Sequence, residues 1–122
     1  MHELLRTAVQ RNALRAVDYH FARHIETLAG ASDPQLLLAA ALVSHRVGEG
    51  DVCVDLAGCD DFPLFQAVGP GSRIPLPEPD AWACSLRRSP VVGGPGDRAP
   101  LILEPKGRLY LGRYWQLERR LA

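Results

Sequence analysis

The sequence is poor in several things, and each shortage narrows what it can be. Cysteine occurs three times, as Cys53, Cys59 and Cys84, an odd number at irregular spacing. That excludes the paired framework of a disulfide-stapled secreted domain and the CxxC pairs of a structural zinc site, so reduced thiols are expected. Net charge is zero, from 14 basic and 14 acidic residues. No long-range attraction to a polyanion follows from that total, and any nucleic-acid contact has to be local. The longest apolar run, Gln35 to Val43 and its flanks, is far shorter than the roughly 20 residues of a membrane span. The first residues hold no continuous apolar stretch followed by a small-residue cleavage site, so nothing reads as a signal peptide, and the expected compartment is the cytoplasm.

What remains is a chain of 122 residues, 47% hydrophobic and 23% charged, which suits one compact domain around one core. Division into two would leave each core marginal. Charge is unevenly placed. Residues 31–80 carry two basic residues, Arg46 and Arg73, against eight acidic ones, whereas residues 97–122 carry six basic against three acidic. Such asymmetry can steer docking of a partner with the opposite pattern, although solvated faces give the same picture. Thirteen of the 14 basic residues are arginine, which reflects coding bias more than function.

Periodicity predicts an α+β fold: a small bundle of three to five helices with a short antiparallel sheet that includes a C-terminal β-hairpin. Leu4, Leu5, Ala8 and Val9 share one side of a first short helix. Asp18 can cap a second, on which Val17, Phe21, Ile25 and Leu28 repeat at helical spacing until Gly30. Ser32-Asp33-Pro34 is a strong start signal for a third helix reaching about Arg46. That helix is apolar all round from Leu36 to Val43 and is therefore the expected centre of the core. After the turn at Gly48-Glu49-Gly50-Asp51, Val52-Cys53-Val54 reads as a strand. A helical turn around Phe62 to Val68 and a proline-rich extended loop to Pro79 follow. Asp80 is expected to cap a brief helix carrying Trp82 and Leu86, and Leu101–Leu103 with Leu109–Leu111 make the hairpin. Residues 113–121 return to helical composition, with Tyr114, Leu117 and Leu121 on one side.

Several patterns suggest chemistry and fail its requirements. Gly93-Gly94-Pro95-Gly96 opens like a phosphate loop, but Asp97-Arg98-Ala99-Pro100 follows without the Lys and hydroxyl that hold phosphate and magnesium. His20 and His24 stand one helical turn apart without a third ligand and read as polar-face residues. Ser44 and His45 are adjacent, which on a helix points them about 100° apart and forbids a nucleophile–base pair; a helix-end His45 facing the helix dipole is the expected role. Asp60 and Asp61 need no explanation beyond capping. The C-terminal stretch mixes cations with rings: Arg108, Arg113, Arg119 and Arg120 around Tyr110, Tyr114 and Trp115. It could contact single-stranded DNA through Arg108, Arg113, Arg119 and Arg120. It could equally be a helix with Trp115 and Leu117 packed inward, or a protein interface, where Tyr110, Arg113 and Trp115 are the natural anchors.

Two blocks carry a family resemblance. Leu42-Val43-Ser44-His45-Arg46-Val47-Gly48-Glu49-Gly50-Asp51-Val52-Cys53-Val54-Asp55-Leu56 resembles the helix–turn–strand stretch near the start of exodeoxyribonuclease V alpha chains (RecD). Arg108-Leu109-Tyr110-Leu111-Gly112-Arg113-Tyr114-Trp115, with Glu118 and Arg119, resembles the end of the same N-terminal domain. The resemblance implies that residues 1–122 form a single non-catalytic docking domain of a subunit whose 5′–3′ helicase motor lies elsewhere. It implies a partner, the gamma (RecC) subunit, in double-strand break repair and recombination. It implies no catalytic, cofactor or metal residue in this stretch, with ATP, magnesium and most of the DNA contact left to the motor, and neither a membrane nor a small-molecule substrate. The alternative is a winged-helix-like DNA-binding module with residues 101–111 as its wing.

Overall fold

A computed structural model describes residues 2–12, 14–51, 53–58, 77–95 and 97–112. Four helices, α1 (His2–Gln10), α2 (Ala16–Ala29), α3 (Pro34–Gly48) and α4 (Pro79–Arg87), stand with strands β1 (Cys53–Asp55), β2 (Val92–Gly93), β3 (Leu101–Leu103) and β4 (Arg108–Leu111). The architecture is α+β, as its periodicity predicts. The sheet order is β1-β4-β3-β2. β4 pairs antiparallel with β1 and β3, in the register Val54↔Leu109 and Ile102↔Tyr110. The two-residue β2 adds a parallel edge to β3 and makes the sheet mixed.

α3 organises the rest. Asp33 accepts from the backbone N–H groups of Gln35 and Leu36, and Pro34 occupies the first turn, where its missing N–H is not needed. Every side chain from Leu36 to Val43 is buried, because α2, α4, β1 and β4 all pack against this one helix. Its run of alanines lets them approach closely. α4 starts two residues earlier than composition suggests. Glu78, not Asp80, is the cap, accepting from the Ala81 N–H, and Pro79 follows it. Trp82 is fully buried and donates its indole N–H to the Gln35 carbonyl at 3.1 Å, which ties α4 to the start of α3.

α1 is tied to α2 through His2, whose ring nitrogens meet the Tyr19 hydroxyl at 3.0 Å and Glu26 at 2.9 Å. Gly30 ends α2 in the left-handed conformation, φ 78°, that favours glycine. β3 is buried on both faces. Leu101 and Leu103, with Leu109 and Val54, join the main core, whereas Ile102 and Tyr110 are buried outside it. The short turn at 60–73, Asp60 and Asp61, and the helical reading of residues 113–121 lie outside the described residues.

Candidate functional site

The most elaborate polar arrangement among the described residues begins at the start of α2. Arg15 is the N-cap, so Asp18 stands at the third helical position instead of capping the helix itself. Its carboxylate reaches back to the Arg15 backbone N–H at 2.9 Å, closing one half of a capping box. The same carboxylate is fully buried and collects four more donors. Arg15 gives Nε at 3.2 Å and Nη2 at 2.7 Å, Ser44 gives its hydroxyl at 2.7 Å, and His45 places Nδ1 at 3.0 Å. Arg15 Nη2 also donates to the Ser44 carbonyl at 3.0 Å. Its guanidinium lies so close over Gly48 that a Cβ there would overlap it. On its far side the His45 ring meets Glu49 at 3.3 Å. Sequence places His45 against the helix dipole; the structure gives it these two carboxylates.

Electrostatics follow from this crowding. Burial pushes the Asp18 carboxyl up, but the hydrogen bonds from the Arg15 side chain and backbone, Ser44 and His45 outweigh it and hold Asp18 below the usual carboxylate range. The Arg15 guanidinium is raised in turn, chiefly by its hydrogen bonds to Asp18.

A serine, a histidine and an aspartate within bonding distance invite comparison with a nucleophilic triad, and the order is wrong for one. In a triad the histidine stands between hydroxyl and carboxylate. Here Asp18 stands between Ser44 and His45, so the hydroxyl donates to a carboxylate and no imidazole can take its proton on the way to a substrate. With Asp18 saturated and buried, the cluster fastens the start of α2 to the end of α3. Among the described residues no group of three or more His, Cys, Asp or Glu could hold a metal ion; His20 and His24 are both exposed. The signal for the clamp was present as the Arg15-to-Asp18 spacing, three residues apart at a helix start, but nothing local marked Ser44 and His45 as its other half.

The second feature is apolar. α2 buries Asp18, Tyr19, Ala22 and Ile25. The expected face of Val17, Phe21, Ile25 and Leu28 is therefore only partly inside: Val17 is 56% and Leu28 51% exposed. They line an open groove of about 560 Å³ together with Phe21, His24, Ile25, Ser44, Pro100, Leu111 and Gly112.

The residues expected to touch a partner or DNA divide unevenly. Arg108 and Tyr110 sit together on β4, where hydrogen bonding with Tyr110, and then the charge of Glu104, raises the Arg108 guanidinium. Arg108 is exposed, while Tyr110 is only 5% exposed, because β4 is an inner strand flanked by β1 and β3. Arg113, Trp115, Arg119 and Arg120 lie outside the described residues. The winged-helix alternative does not fit this geometry. Its wing, residues 101–111, is the central strand pair of the sheet, and α3 is enclosed from Leu36 to Val43 and cannot enter a groove of DNA.

Residues 10–110 match the family described as RecBCD enzyme subunit RecD, N-terminal domain. The chain is similar to the RecBCD enzyme subunit RecD of Mycolicibacterium smegmatis, 35% identical over 112 residues that are 89% of this chain and 18% of that protein. It is also similar to the subunit of the same name in Mycobacterium tuberculosis, 33% identical over 119 residues, 98% of this chain and 19% of the relative. The chain thus spans under a fifth of the length of these relatives. No described helix is long and apolar enough to cross a membrane.

Proposed function

Because the chain belongs to the family of RecD N-terminal domains of the RecBCD enzyme, we propose that it is a docking domain, fastening a helicase subunit to the gamma (RecC) subunit without itself catalysing a reaction. The assembly would act in the cytoplasm as a 5′–3′ helicase-nuclease in double-strand break repair. ATP and magnesium would be handled by parts of the parent subunit other than this domain. The observation that supports this reading is the Asp18 cluster: its carboxylate is fully buried and its bonds go to Arg15, Ser44 and His45, fastening α2 to α3. Docking surfaces favour arginine and aromatic side chains; Arg108 is exposed on β4, and in the sequence Arg113 and Trp115 follow that strand.

The test is co-purification of the gamma subunit with the parent subunit, intact or lacking residues 1–122. Capture is expected to fall at least about tenfold on deletion, the equivalent of about 1.4 kcal/mol. Undiminished capture overturns the proposal. Retention of the parent subunit on single-stranded DNA at low and moderate salt provides the control. If deletion instead flattens the salt dependence of DNA binding, phosphate contacts were lost and the domain is a DNA-contact module.

A further inference from the structure

Val17 and Leu28 are the large apolar side chains the described domain leaves most open, and with Phe21 they form a stripe along α2 at spacings of four and seven residues. The groove they line offers an occupant almost nothing to hydrogen-bond. Its polar side chains are His24 and Ser44, and the Ser44 hydroxyl is already given to Asp18. Its strand residue, Leu111, belongs to β4, an inner strand flanked by β1 and β3, so an extended segment would find no free edge to pair with. What fits is a helix, which satisfies its own backbone and whose side-chain ridges interlock with a wall of helical period. Charge narrows the choice further. The ionisable side chains that α2 exposes are all basic: His20, Arg23 and His24. Both of its carboxylates are committed within the domain, Asp18 to its cluster and Glu26 to His2. A second copy of α2 laid along the first would bring like groups together, whereas a helix with acidic flanks complements them.

We propose that this groove seats an amphipathic helix of the gamma subunit, with its apolar stripe on Val17, Phe21 and Leu28 and with carboxylates on its flanks facing His20 and His24. This seat rests on the docking reading above and adds to it the place and the chemistry of the contact.

Co-purification of the gamma subunit with the intact parent subunit tests it. Leu28→Asp places a charge in the groove at a half-exposed position outside the core and is expected to lower capture about tenfold. His24→Glu should lower it about threefold, and His24→Lys should not. Loss of capture on deletion of residues 1–122, with full capture by Leu28→Asp, overturns the seat and leaves docking standing; full capture by both overturns docking as well. Equal capture by the two His24 variants overturns the acidic flanks. Should Leu28→Asp unfold the domain, p-benzoylphenylalanine in place of Leu28 decides, by photo-cross-linking and mass spectrometry. A cross-link to an amphipathic segment of the gamma subunit with Asp or Glu beside its apolar stripe supports the seat. A cross-link to the parent subunit itself, in the same chain or in a second copy, overturns it.

Discussion

Replacing Asp18 with asparagine keeps the shape of the side chain and removes the charge around which α2 and α3 are joined. The carboxylate accepts five bonds, two at Oδ1 and three at Oδ2. An asparagine has a single acceptor oxygen, so its amide nitrogen must face either Ser44 and Arg15 Nη2 or the Arg15 backbone, Arg15 Nε and His45. Loss of half a capping box costs about 1 kcal/mol, and buried donors facing another donor cost about 1–3 kcal/mol. The Arg15 side chain is 46% exposed, so its share of the charge interaction is screened and adds little. The neutral amide also recovers part of the cost of burying a charge. A net loss of about 3 kcal/mol results, and at about 4 °C per kcal/mol for a domain of this size the melting temperature should fall by about 12 °C. Thermal unfolding followed by far-UV circular dichroism at neutral pH measures it. A fall below about 3 °C overturns this prediction, because the five bonds would then contribute no more than one ordinary surface pair.

Three further outcomes follow from the same contacts. Gly48→Ala should destabilise the domain although alanine is the better helix former by about 1 kcal/mol, because its Cβ displaces the Arg15 guanidinium; in an Arg15→Ala background the same change should become stabilising, and denaturant midpoints read the reversal of sign. Gly112→Ala should cost about 2 kcal/mol or more, since its Cβ would meet the Ala99 carbonyl, a backbone atom that cannot swing aside; the same unfolding measurement detects it. Asp18 has a folded pKa below its unfolded one, so its contribution is complete above the ordinary carboxylate range and is lost as pH falls through the folded value. Melting temperature against pH should therefore drop more steeply on the acid side, below about pH 4, for the parent chain than for Asp18→Asn.

Most of the described elements were legible because their signals are local. The Asp33-Pro34 start of α3, its burial on every side, and the hairpin of β3 and β4 each follow from a few adjacent residues. β2 escaped because two residues at Val92–Gly93 become a strand only by lying parallel to β3, a partner that no local pattern announces. The cap of α4 slipped from Asp80 to Glu78 because both residues can cap, and Pro79 between them decides by taking the first turn. Tyr110 was legible as an aromatic anchor but not as a packed one; its burial depends on β4 being an inner strand, which is a property of the whole sheet.

The rotation of α2 shows how a single polar residue overrides apolar periodicity. Val17, Phe21, Ile25 and Leu28 define one side of the helix, and hydrophobic burial alone would turn that side inward. The helix instead buries Asp18, Tyr19, Ala22 and Ile25, a face about a quarter turn away. Asp18 and Val17 are neighbours and cannot both point at α3. Turning Val17 and Leu28 fully inward would gain about 1 kcal/mol or so for each half-exposed side chain. It would also carry Asp18 away from Ser44 and His45 and leave buried polar groups without partners, at about 1–3 kcal/mol each and more for the charged carboxylate. The polar clamp therefore sets the angle of the helix and leaves Val17 and Leu28 at the surface. On this reasoning the open apolar groove is a consequence of the Asp18 cluster, and a variant that dissolves the cluster should let α2 roll and close the groove.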